Sequence, residues 1–548
     1  MNPFINKKLI LFLCLILFLS GCDYNTVTST LPDQSVLPET LQNQSFDQHL
    51  DISIGYWDIE KMLNASHPDA ITQYIESLFN VTFHPMSVTW SNYKDRYRIL
   101  SSTHSLPDIF ATLTLSSNDN HDSGSFINMI ESNSIRALPE DMSSYPLLSN
   151  VLALTSFTKY KDGNYYAIPR NSFTDPILGS TDAAMLVRRD WMDTLDIKDP
   201  QSFDDFLSMT SAFVHDDPDG NGADDTIGYN VSNLTALGKW LILGISPECN
   251  TYAWISEDGQ YIPSWTSDKF MEVVKSYRKL YQSDSLDPNF YSKSPQTVLE
   301  DFASGHLGAL EYKSSPSALM ELKERWDQQN DKPFETCVDV LPIFPASDGI
   351  RYSNSSNIFW SESYLSSSVS DEKAERILSI LEFLLSENGK MLCKYGIENV
   401  DYALNDNGNY TCLIDTKGEN LSIVLKKKYP SLMLFETLAG WGNDWKDFEN
   451  SSLNNLRYGK PCVDLARKSV EWYRDNTTQL KRDYVFLNAP KESVESLNTS
   501  DAFHSFVKCI IGEDDPEQMW NQVLAEMDSK GLKNYISMQN EKYREQKE

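Results

Sequence analysis

The chain has 548 residues, of which 41% are hydrophobic and 12% aromatic, and it carries a formal net charge of −31. This composition predicts a folded body with a hydrophobic core rather than a disordered chain, and a body of this length is expected to divide into more than one lobe. The strong negative charge argues against nucleic-acid binding and against a basic membrane-binding surface.

The N-terminus indicates where the protein acts. Lys7 and Lys8 precede an apolar run over residues 9–19, which is typical of a secretory signal peptide and too short for a spanning helix. The run ends in Leu-Ser-Gly before Cys22, a pattern that resembles a bacterial lipobox. We therefore predict a signal peptide at 1–21 and a lipidated Cys22, carrying acyl chains such as palmitate, that holds the protein to the outer face of the cell membrane. An ordinary cleavable signal is the alternative.

The segment after the cysteine, up to residue 48, is rich in Ser, Thr, Asn, Gln, Asp and Pro and shows no helical or strand period. It is expected to be a flexible tether between the membrane and the folded body.

The folded body begins with a strand, a helix and a strand. Residues 52–57 have strand character, 70–79 have the apolar spacing of a helix, and 81–83 return to strand character. This order predicts an α/β unit with a parallel pair of strands. Farther along, helices are predicted at 93–100, from Ser202 through 213, and at 270–281, 297–304, 372–386, 516–530 and 532–542, and strands at 109–113, 185–188 and 307–312.

A loop at 217–225 places acidic or amide oxygens at every second residue with glycines between them. Calcium takes about 6–8 oxygen ligands, and an EF-hand loop supplies several of them at this spacing, with a glycine at its sixth position. The predicted ligands are Asp217, Asp219, Asn221, Asp225 and the carbonyl of Ala223. The bidentate glutamate of a true EF-hand is missing, because Gly228 stands at that position. A polar turn without metal is the alternative.

The remaining cysteines have wide, irregular spacings without any zinc-binding pattern. Free buried thiols are expected for most of them, and one or two disulfides stay open because sequence cannot pair them: Cys249, Cys337, Cys393, Cys412, Cys462 and Cys509.

An ordered series of short segments resembles the family 1 extracellular solute-binding lipoproteins of bacterial ABC importers, in particular the alginate- and oligosaccharide-binding receptors. Besides the lipobox and the 217–222 loop, the matching segments are 106–109 (LPDI), 163–170 (GNYYAIPR), 187–195 (VRRDWMDTL), 302–305 (FASG), 348–352 (DGIRY) and 519–521 (MWN).

The resemblance implies the type 2 periplasmic-binding-protein fold, with two discontinuous α/β lobes, a hinge and a cleft between the lobes. We expect lobe 1 at 49–170, lobe 2 at 171–300, a return to lobe 1 at 301–345, and mainly lobe 2 with the C-terminal helices at 346–548. The resemblance also implies a structural calcium ion away from the ligand. Relatives often carry a further acid after the residue that matches Asp225, and Thr226 stands there in this chain.

Such a receptor closes on its ligand, and for a sugar the cleft should supply aromatic faces and directional hydrogen bonds. The predicted ligand-binding residues sit at strand ends or in loops: Tyr56, Trp57, Trp90, Arg170, Trp254, Tyr312, Trp360 and Trp441. The expected partners are an oligosaccharide and the permease subunits of an ABC transporter, and the receptor is expected to be a monomer.

No Gly-x-Ser-x-Gly, His-Glu-x-x-His or phosphate-loop motif occurs in the chain, so we do not expect an enzyme. Two alternatives stay open at this point. The protein could degrade polysaccharide at the cell surface through a pair of its many carboxylates, or it could sense a solute for a membrane kinase without transporting it.

Overall fold

The computed structural model describes residues 34–115, 123–173, 175–232, 238–249, 254–354, 359–480 and 499–547. Its strands are β1 (Leu50–Trp57), β2 (Val81–Val88), β3 (Ile109–Thr112), β4 (Ala167–Phe173), β5 (Ala184–Arg188), β6 (Ile227–Val231), β7 (Trp254–Glu257), β8 (Gln260–Pro263), β9 (Leu307–Tyr312), β10 (Val338–Leu341), β11 (Tyr352–Ser353), β12 (Phe359–Leu365), β13 (Tyr402–Leu404), β14 (Tyr410–Cys412), β15 (Gly440–Asn443) and β16 (Thr478–Gln479).

The α-helices of the described residues are α1 (Ala70–Phe79), α2 (Tyr93–Ser102), α3 (Ser123–Glu131), α4 (Pro146–Leu154), α5 (Arg189–Thr194), α6 (Phe203–His215), α7 (Lys239–Ile245), α8 (Phe270–Gln282), α9 (Pro295–Ala303), α10 (Pro316–Asp327), α11 (Phe334–Cys337), α12 (Asp371–Leu385), α13 (Glu387–Tyr395), α14 (Leu421–Lys428), α15 (Leu432–Leu438), α16 (Ser452–Tyr458), α17 (Lys460–Asn476), α18 (Thr499–Ile511), α19 (Pro516–Ser529) and α20 (Leu532–Lys547).

The first strand–helix–strand unit has the predicted order and helix bounds, while its strands extend beyond the predicted 52–57 and 81–83. Asp69 caps α1 by accepting a 2.9 Å hydrogen bond from the Thr72 backbone N–H. The helix ends at Asn80, whose left-handed backbone (φ 49°) turns the chain into β2. β1 and β2 then pair in parallel along eight residues. The predicted parallel pair is confirmed.

A six-stranded mixed sheet has the order β15-β4-β12-β3-β1-β2. β2 and β3 run parallel to β1, and β12 runs antiparallel between β3 and β4. A continuous core covers this sheet and takes residues from Leu37 to Ile168 and from Phe359 to Leu453. These two stretches form lobe 1.

A four-stranded sheet has the order β10-β5-β9-β6. Its strands come from residues 184–341, and two neighbouring cores pack on it, with contributions from 177–344 and 448–532. α17 joins this lobe by packing Cys462, Ala466 and Val470 into one of these cores. We call this unit lobe 2.

The strand pairings correct two of the expected boundaries. Residues 301–345 do not return to lobe 1, because β9 and β10 lie on either side of β5 in the lobe 2 sheet. The first part of 346–548 does not belong to lobe 2 as expected. Strand β12 is a central strand of the lobe 1 sheet, and α12 packs in the lobe 1 core. The strands β9, β10 and β12 are short and largely apolar, so their local sequences do not show which sheet they join.

Helix ends follow local chemistry in both lobes. Ser202 caps α6 by accepting from the Asp205 N–H at 3.1 Å, as its sequence predicts, while the Asp205 carboxylate accepts from the Gln201 N–H. Helices α14 and α10 connect the lobes through a 2.8 Å hydrogen bond from Asn420 to Glu324.

The six cysteines of the described region are free thiols, and all but the half-buried Cys412 are buried. Within the same region, none of the helices combines the length and apolar character needed to cross a bilayer.

Candidate functional site

Four aromatic side chains meet at the carboxyl edge of the lobe 1 sheet, and we call Trp57, Trp90, Tyr93 and Trp360 the aromatic cluster. The Trp90 and Trp360 rings stack at 5.5 Å with 11° between their planes. The Trp57 ring centroid lies 5.5 Å from that of Trp90 and 5.8 Å from that of Trp360. Tyr93 contacts both Trp57 and Trp90 at 5.5 Å.

The fold brings these residues together from three separate parts of the chain. Trp57 is the last residue of β1, Trp90 follows the end of β2, and Trp360 stands at the start of the antiparallel β12. The end of a parallel strand and the start of its antiparallel neighbour meet at the same edge, which is where open α/β sheets bind ligands.

The cluster offers an accessible ring on a rigid base. Trp90 is 54% exposed, whereas Trp57 is only 7% exposed. Trp57 stands on the sheet face where Gly55 leaves room, since a Cβ at Gly55 would meet Pro107 and Tyr97 at 2.8 Å. An exposed tryptophan on a fixed aromatic support presents flat apolar area with little loss of side-chain freedom on binding.

Arg170 and Tyr56 form a buried hydrogen-bonded pair next to the aromatic cluster. The buried Arg170 donates from Nη2 to the Tyr56 hydroxyl at 2.6 Å, from Nη1 to Ser361 Oγ at 2.9 Å and from Nε to the Thr437 carbonyl at 2.8 Å. Its guanidinium lies 4.9 Å from the Tyr56 ring centroid and 5.6 Å from that of Trp57. Five of the eight predicted ligand-binding residues, Tyr56, Trp57, Trp90, Arg170 and Trp360, therefore occupy one site.

Sequence reasoning missed Glu362, a buried carboxylate on β12 near the same edge. Its Oε1 accepts hydrogen bonds from the Thr114 backbone N–H, from Thr114 Oγ1 at 2.7 Å and from the Leu115 N–H at 3.0 Å. Burial raises the pKa of Glu362 to about 7, although these hydrogen bonds act in the opposite direction. A glutamate inside the otherwise apolar and serine-rich strand FWSESYL was the signal that could have found it.

Four polar atoms near this edge are buried and have no hydrogen-bond partner among the described residues. They are Oε2 of Glu362, Oδ1 of Asn171 at the end of β4, Nε1 of Trp57 and the hydroxyl of Tyr97 beside Gly55. Buried polar atoms are almost always paired, and an unpaired one costs about 1–3 kcal/mol. A site with two free acceptors, one free donor and one free hydroxyl suits a ligand that carries hydroxyl groups.

The other predicted ligand-binding residues are not part of this arrangement. Trp254 opens the β7–β8 hairpin of lobe 2, where its ring contacts Tyr261 at 5.3 Å and Tyr535 at 5.4 Å. Tyr312 ends β9 of the lobe 2 sheet and donates to Glu321 at 3.2 Å. Trp441 lies in β15 at the edge of lobe 1, but its side chain is outside the described residues, as is Cys22.

The predicted calcium loop folds around the side chain of Asn221. Its Nδ2 donates to Asp219 Oδ2 at 2.9 Å and to Asp225 Oδ1 at 3.2 Å. The Asp217 carboxylate accepts from the Asn221 and Gly222 backbone N–H groups at 3.1 Å. Gly220 and Gly222 both take positive φ, which lets the loop turn this tightly.

Thr226 does not replace the acid of the relatives. It is buried and its hydroxyl donates to the Phe213 carbonyl at 2.7 Å, so it ties the end of the loop to α6. In the part of the chain that the structure describes, no group of three or more His, Cys, Asp or Glu is arranged to hold a metal ion.

Comparison with known proteins gives relatives along most of the chain, although no family model matches it. Lipoprotein LipO of Bacillus subtilis is 25% identical over 363 residues, covering 64% of this chain and 68% of LipO. The polygalacturonan/rhamnogalacturonan-binding protein YtcQ of the same organism is 22% identical over 494 residues, covering 87% of this chain and 89% of YtcQ. The fructooligosaccharide ABC transporter substrate-binding protein FusA of Streptococcus pneumoniae is 23% identical over 198 residues, or 35% of this chain and 34% of FusA.

Solved structures share the architecture. The alginate-binding protein AlgQ2, solved without calcium ion, superposes with a TM-score of 0.64 over 91% of this chain and 98% of AlgQ2 at 15% identity. FusA in complex with kestose superposes with a TM-score of 0.62 over 91% of this chain and 99% of FusA, also at 15% identity. An EF-hand mutant of FusA in complex with fructo-nystose is among the neighbours as well.

These similarities agree in kind, since the relatives are lipoproteins and sugar-binding proteins and the structures are oligosaccharide- or alginate-binding proteins. The predicted resemblance of this chain to the extracellular solute-binding lipoproteins of bacterial ABC importers, and with it the two-lobed α/β fold, is therefore confirmed.

Proposed function

We propose that this protein is a receptor that captures an oligosaccharide at the carboxyl edge of lobe 1 and delivers it to an ABC permease. The observation that carries the proposal is the aromatic cluster with four unpaired polar atoms beside it. Sugars combine apolar C–H faces with a rim of hydroxyl groups. A stacked tryptophan pair meets the faces, and buried acceptors and a donor meet the rim.

The functions of the relatives support this assignment. FusA is a fructooligosaccharide ABC transporter substrate-binding protein, and YtcQ is a polygalacturonan/rhamnogalacturonan-binding protein. A ligand held between hinged lobes lets a transporter distinguish the loaded from the empty receptor. We therefore propose that the receptor binds the permease subunits of an ABC transporter.

We also propose that Cys22 carries the lipid that keeps the receptor at the membrane. The support comes from the Leu-Ser-Gly-Cys pattern after an apolar run and from the relative LipO, which is a lipoprotein. The tether expected at 22–48 is too long, because Leu37 and Leu41 are buried in the lobe 1 core. Replacing Cys22 by Ser should release the protein from membranes prepared from the producing cells, and an unchanged membrane fraction would contradict the anchor.

A structural calcium ion is the third part of the proposal. The Asn221 N–H₂ group donates to the carboxylates of Asp219 and Asp225, and the Asn221 backbone N–H donates to that of Asp217. Rotation of this amide would place its oxygen among the carboxylates, which is the donor set that calcium prefers. The Ala223 carbonyl would complete the protein ligands, and water would fill the position that Thr226 leaves.

The receptor and its two alternatives differ in what they do to a bound glycan. Calorimetric titration with a panel of oligosaccharides should give saturable heat, and chromatography of the same mixtures should show the sugars unchanged. Shortened or unsaturated products would instead identify a surface polysaccharide-degrading enzyme. If no oligosaccharide binds, the carbohydrate receptor is excluded.

Transport and sensing are separated by a second experiment in the producing organism. Deleting the gene should abolish uptake of the radiolabelled ligand while leaving phosphorylation of membrane kinases unchanged. The reverse pattern would assign the protein to sensing.

A further inference from the structure

The carboxyl group of Glu362 is fixed on one side and free on the other. The Thr114 N–H, the Thr114 hydroxyl and the Leu115 N–H donate to Oε1, and the Tyr364 hydroxyl is a fourth donor at 3.4 Å, so the group cannot rotate without breaking these hydrogen bonds. Oε2 has no hydrogen-bond partner within the described part of the chain. The fold thus holds one carboxylate oxygen in place and leaves it an unsatisfied acceptor.

Strand geometry places this oxygen on the face of the sheet that carries the aromatic cluster. Tyr364, two residues after Glu362, packs its ring 5.7 Å from Phe110, and Phe110 stands beside Gly55 on that face. Trp57 follows two residues after Gly55 on the same strand, so it shares the face. Thr114 lies just beyond the end of β3, which brings the Glu362 carboxylate to the level of the edge.

Asn171 supplies a second free acceptor at this edge. It pairs with Phe359, the residue before Trp360, and the β4–β12 register shifts at a bulge between Phe359 and Ser361, so the face of Asn171 follows from β4 rather than from this pairing. Alternation along β4 puts the Asn171 side chain on the face opposite to Arg170. The Arg170 guanidinium is committed elsewhere, to Tyr56, Ser361 and the Thr437 carbonyl.

We propose that Glu362 and Asn171 form the innermost subsite of the cleft and that this subsite takes a neutral, hydroxyl-bearing sugar ring and rejects a uronate. The inference rests on the proposed function and names its ligand class. A hydroxyl group can donate to Oε2 or Oδ1 and accept from Trp57 Nε1. Above the raised pKa of Glu362, the ionised Oε2 accepts from a hydroxyl group but repels the carboxylate of a uronate, which has no proton to donate to it.

This assignment goes against the most extended sequence similarity, because YtcQ, which covers 87% of the chain, binds polygalacturonan. At an identity of 22%, single side chains in the cleft are free to differ. The free acceptors of Glu362 and Asn171 therefore carry a ligand preference that we propose for this chain alone.

The test compares a neutral trisaccharide set (kestose, maltotriose, galactotriose) with trigalacturonate by calorimetry at about pH 8, above the raised pKa of Glu362. The wild-type protein should bind at least one neutral sugar and bind the uronate at least about 10-fold more weakly. Preferential binding of the uronate would overturn the inference while leaving the receptor function intact. Binding of neither class would overturn both.

Glu362→Gln sharpens the test through specificity rather than affinity. Thr114 and Leu115 require an acceptor at Oε1, so the glutamine must point its N–H₂ group to where Oε2 was. A donor then replaces the free acceptor and the negative charge is gone. The ratio of uronate to neutral dissociation constants should fall at least about 10-fold. A parallel loss for all sugars would show a merely structural role and overturn the inference.

Two further variants keep the test decisive. Asn171→Asp adds an acceptor charge at the edge and should raise the same ratio, even if Glu362→Gln folds poorly. Glu311→Gln is the matched control, because Glu311 is a buried glutamate of lobe 2 whose Oε1 accepts from Trp240 and whose Oε2 accepts from Tyr229. It should leave the ratio unchanged, and an equal shift in this control would contradict the proposal.

Discussion

Each lobe buries a glutamate on a central strand of its sheet, and the two glutamates differ in what their second oxygen meets. Glu311 on β9 uses both oxygens, accepting from the Trp240 N–H at 2.9 Å and from the Tyr229 hydroxyl at 3.3 Å. Glu362 on β12 uses only Oε1. Burial raises the pKa of both to about 7, so burial alone does not distinguish them. The free oxygen makes Glu362 a candidate ligand-binding group, whereas Glu311 stabilises the interior of lobe 2.

The tryptophans of the two lobes show the same contrast. Trp191, Trp240, Trp326 and Trp520 of lobe 2 are at most 1% exposed and fill its core. In lobe 1, Trp57, Trp90 and Trp360 gather at the sheet edge. These four lobe 2 tryptophans are core residues, whereas the three lobe 1 tryptophans lie at the edge where we propose that the ligand binds.

The largest effect is expected for Trp240→Ala in lobe 2. The side chain is fully buried and its Nε1 donates to the Tyr473 hydroxyl at 2.7 Å. Truncation should lower the free energy of unfolding by about 3–5 kcal/mol, because it leaves a large cavity and an unpaired hydroxyl. Urea denaturation followed by circular dichroism measures the loss. A change below about 1 kcal/mol would contradict the assignment of this tryptophan to the core.

The next effect concerns pH. Burial raises the folded-state pKa of Glu362 and of Glu311 to about 7 from the ordinary value of 4.5. The folded state therefore binds these protons more tightly than the unfolded state does. Their stabilising contribution is complete below about pH 4.5 and is lost as the pH rises through about 7, on the order of 3 kcal/mol per group.

Urea denaturation at about pH 5 and about pH 8 tests this sign. The wild type should lose stability between the two pH values, and Glu362→Gln or Glu311→Gln should each lose less, because glutamine does not titrate. The exposed Glu335→Gln serves as the control and should behave like the wild type. A steeper decline in either buried-site variant would refute the linkage.

Calcium should give a somewhat smaller effect. Calcium that binds only the folded state stabilises it by about 2.7 kcal/mol at 100 times its dissociation constant. Melting curves with calcium and with a chelator should differ for the wild type but coincide for Asp219→Ala, whose carboxylate contacts the Asn221 amide. Asp216→Ala, just outside the loop, should keep the shift. Identical wild-type curves under both conditions would remove the metal from the account.

The smallest free-energy change is expected for Trp90→Ala. This side chain is 54% exposed, so its loss should alter the free energy of unfolding by less than about 1 kcal/mol. Sugar affinity should fall by about 2 kcal/mol, or roughly 30-fold, because an anchoring tryptophan is lost. Trp254→Ala in lobe 2 should leave affinity unchanged. The reverse pattern would move the binding site to lobe 2.

Local signals in the sequence were enough for much of the fold. The helix at 70–79 and the strand at 307–312 have the predicted bounds, because capping residues and apolar spacing act over a few positions. The sequence did not predict which sheet β9, β10 and β12 join. Each of them pairs with a strand more than a hundred residues away in the chain.

The candidate site was predictable to the extent that strand ends identify an edge. Trp57, Trp90 and Trp360 follow that rule, whereas Tyr312 and Trp254 follow it equally well and lie in lobe 2. Glu362 was missed because its role depends on hydrogen bonds that only the three-dimensional structure shows. Its Oε1 accepts from Thr114 and Leu115, and its Oε2 has no hydrogen-bond partner among the described residues.

The most direct test of the central claim is a crystal structure of the protein with a bound neutral trisaccharide. The account predicts a sugar ring packed against Trp90 and Trp360 at about 4 Å, with one hydroxyl group within about 3 Å of Glu362 Oε2. A sugar seated on Trp254, or one that leaves the lobe 1 edge uncovered, would contradict it.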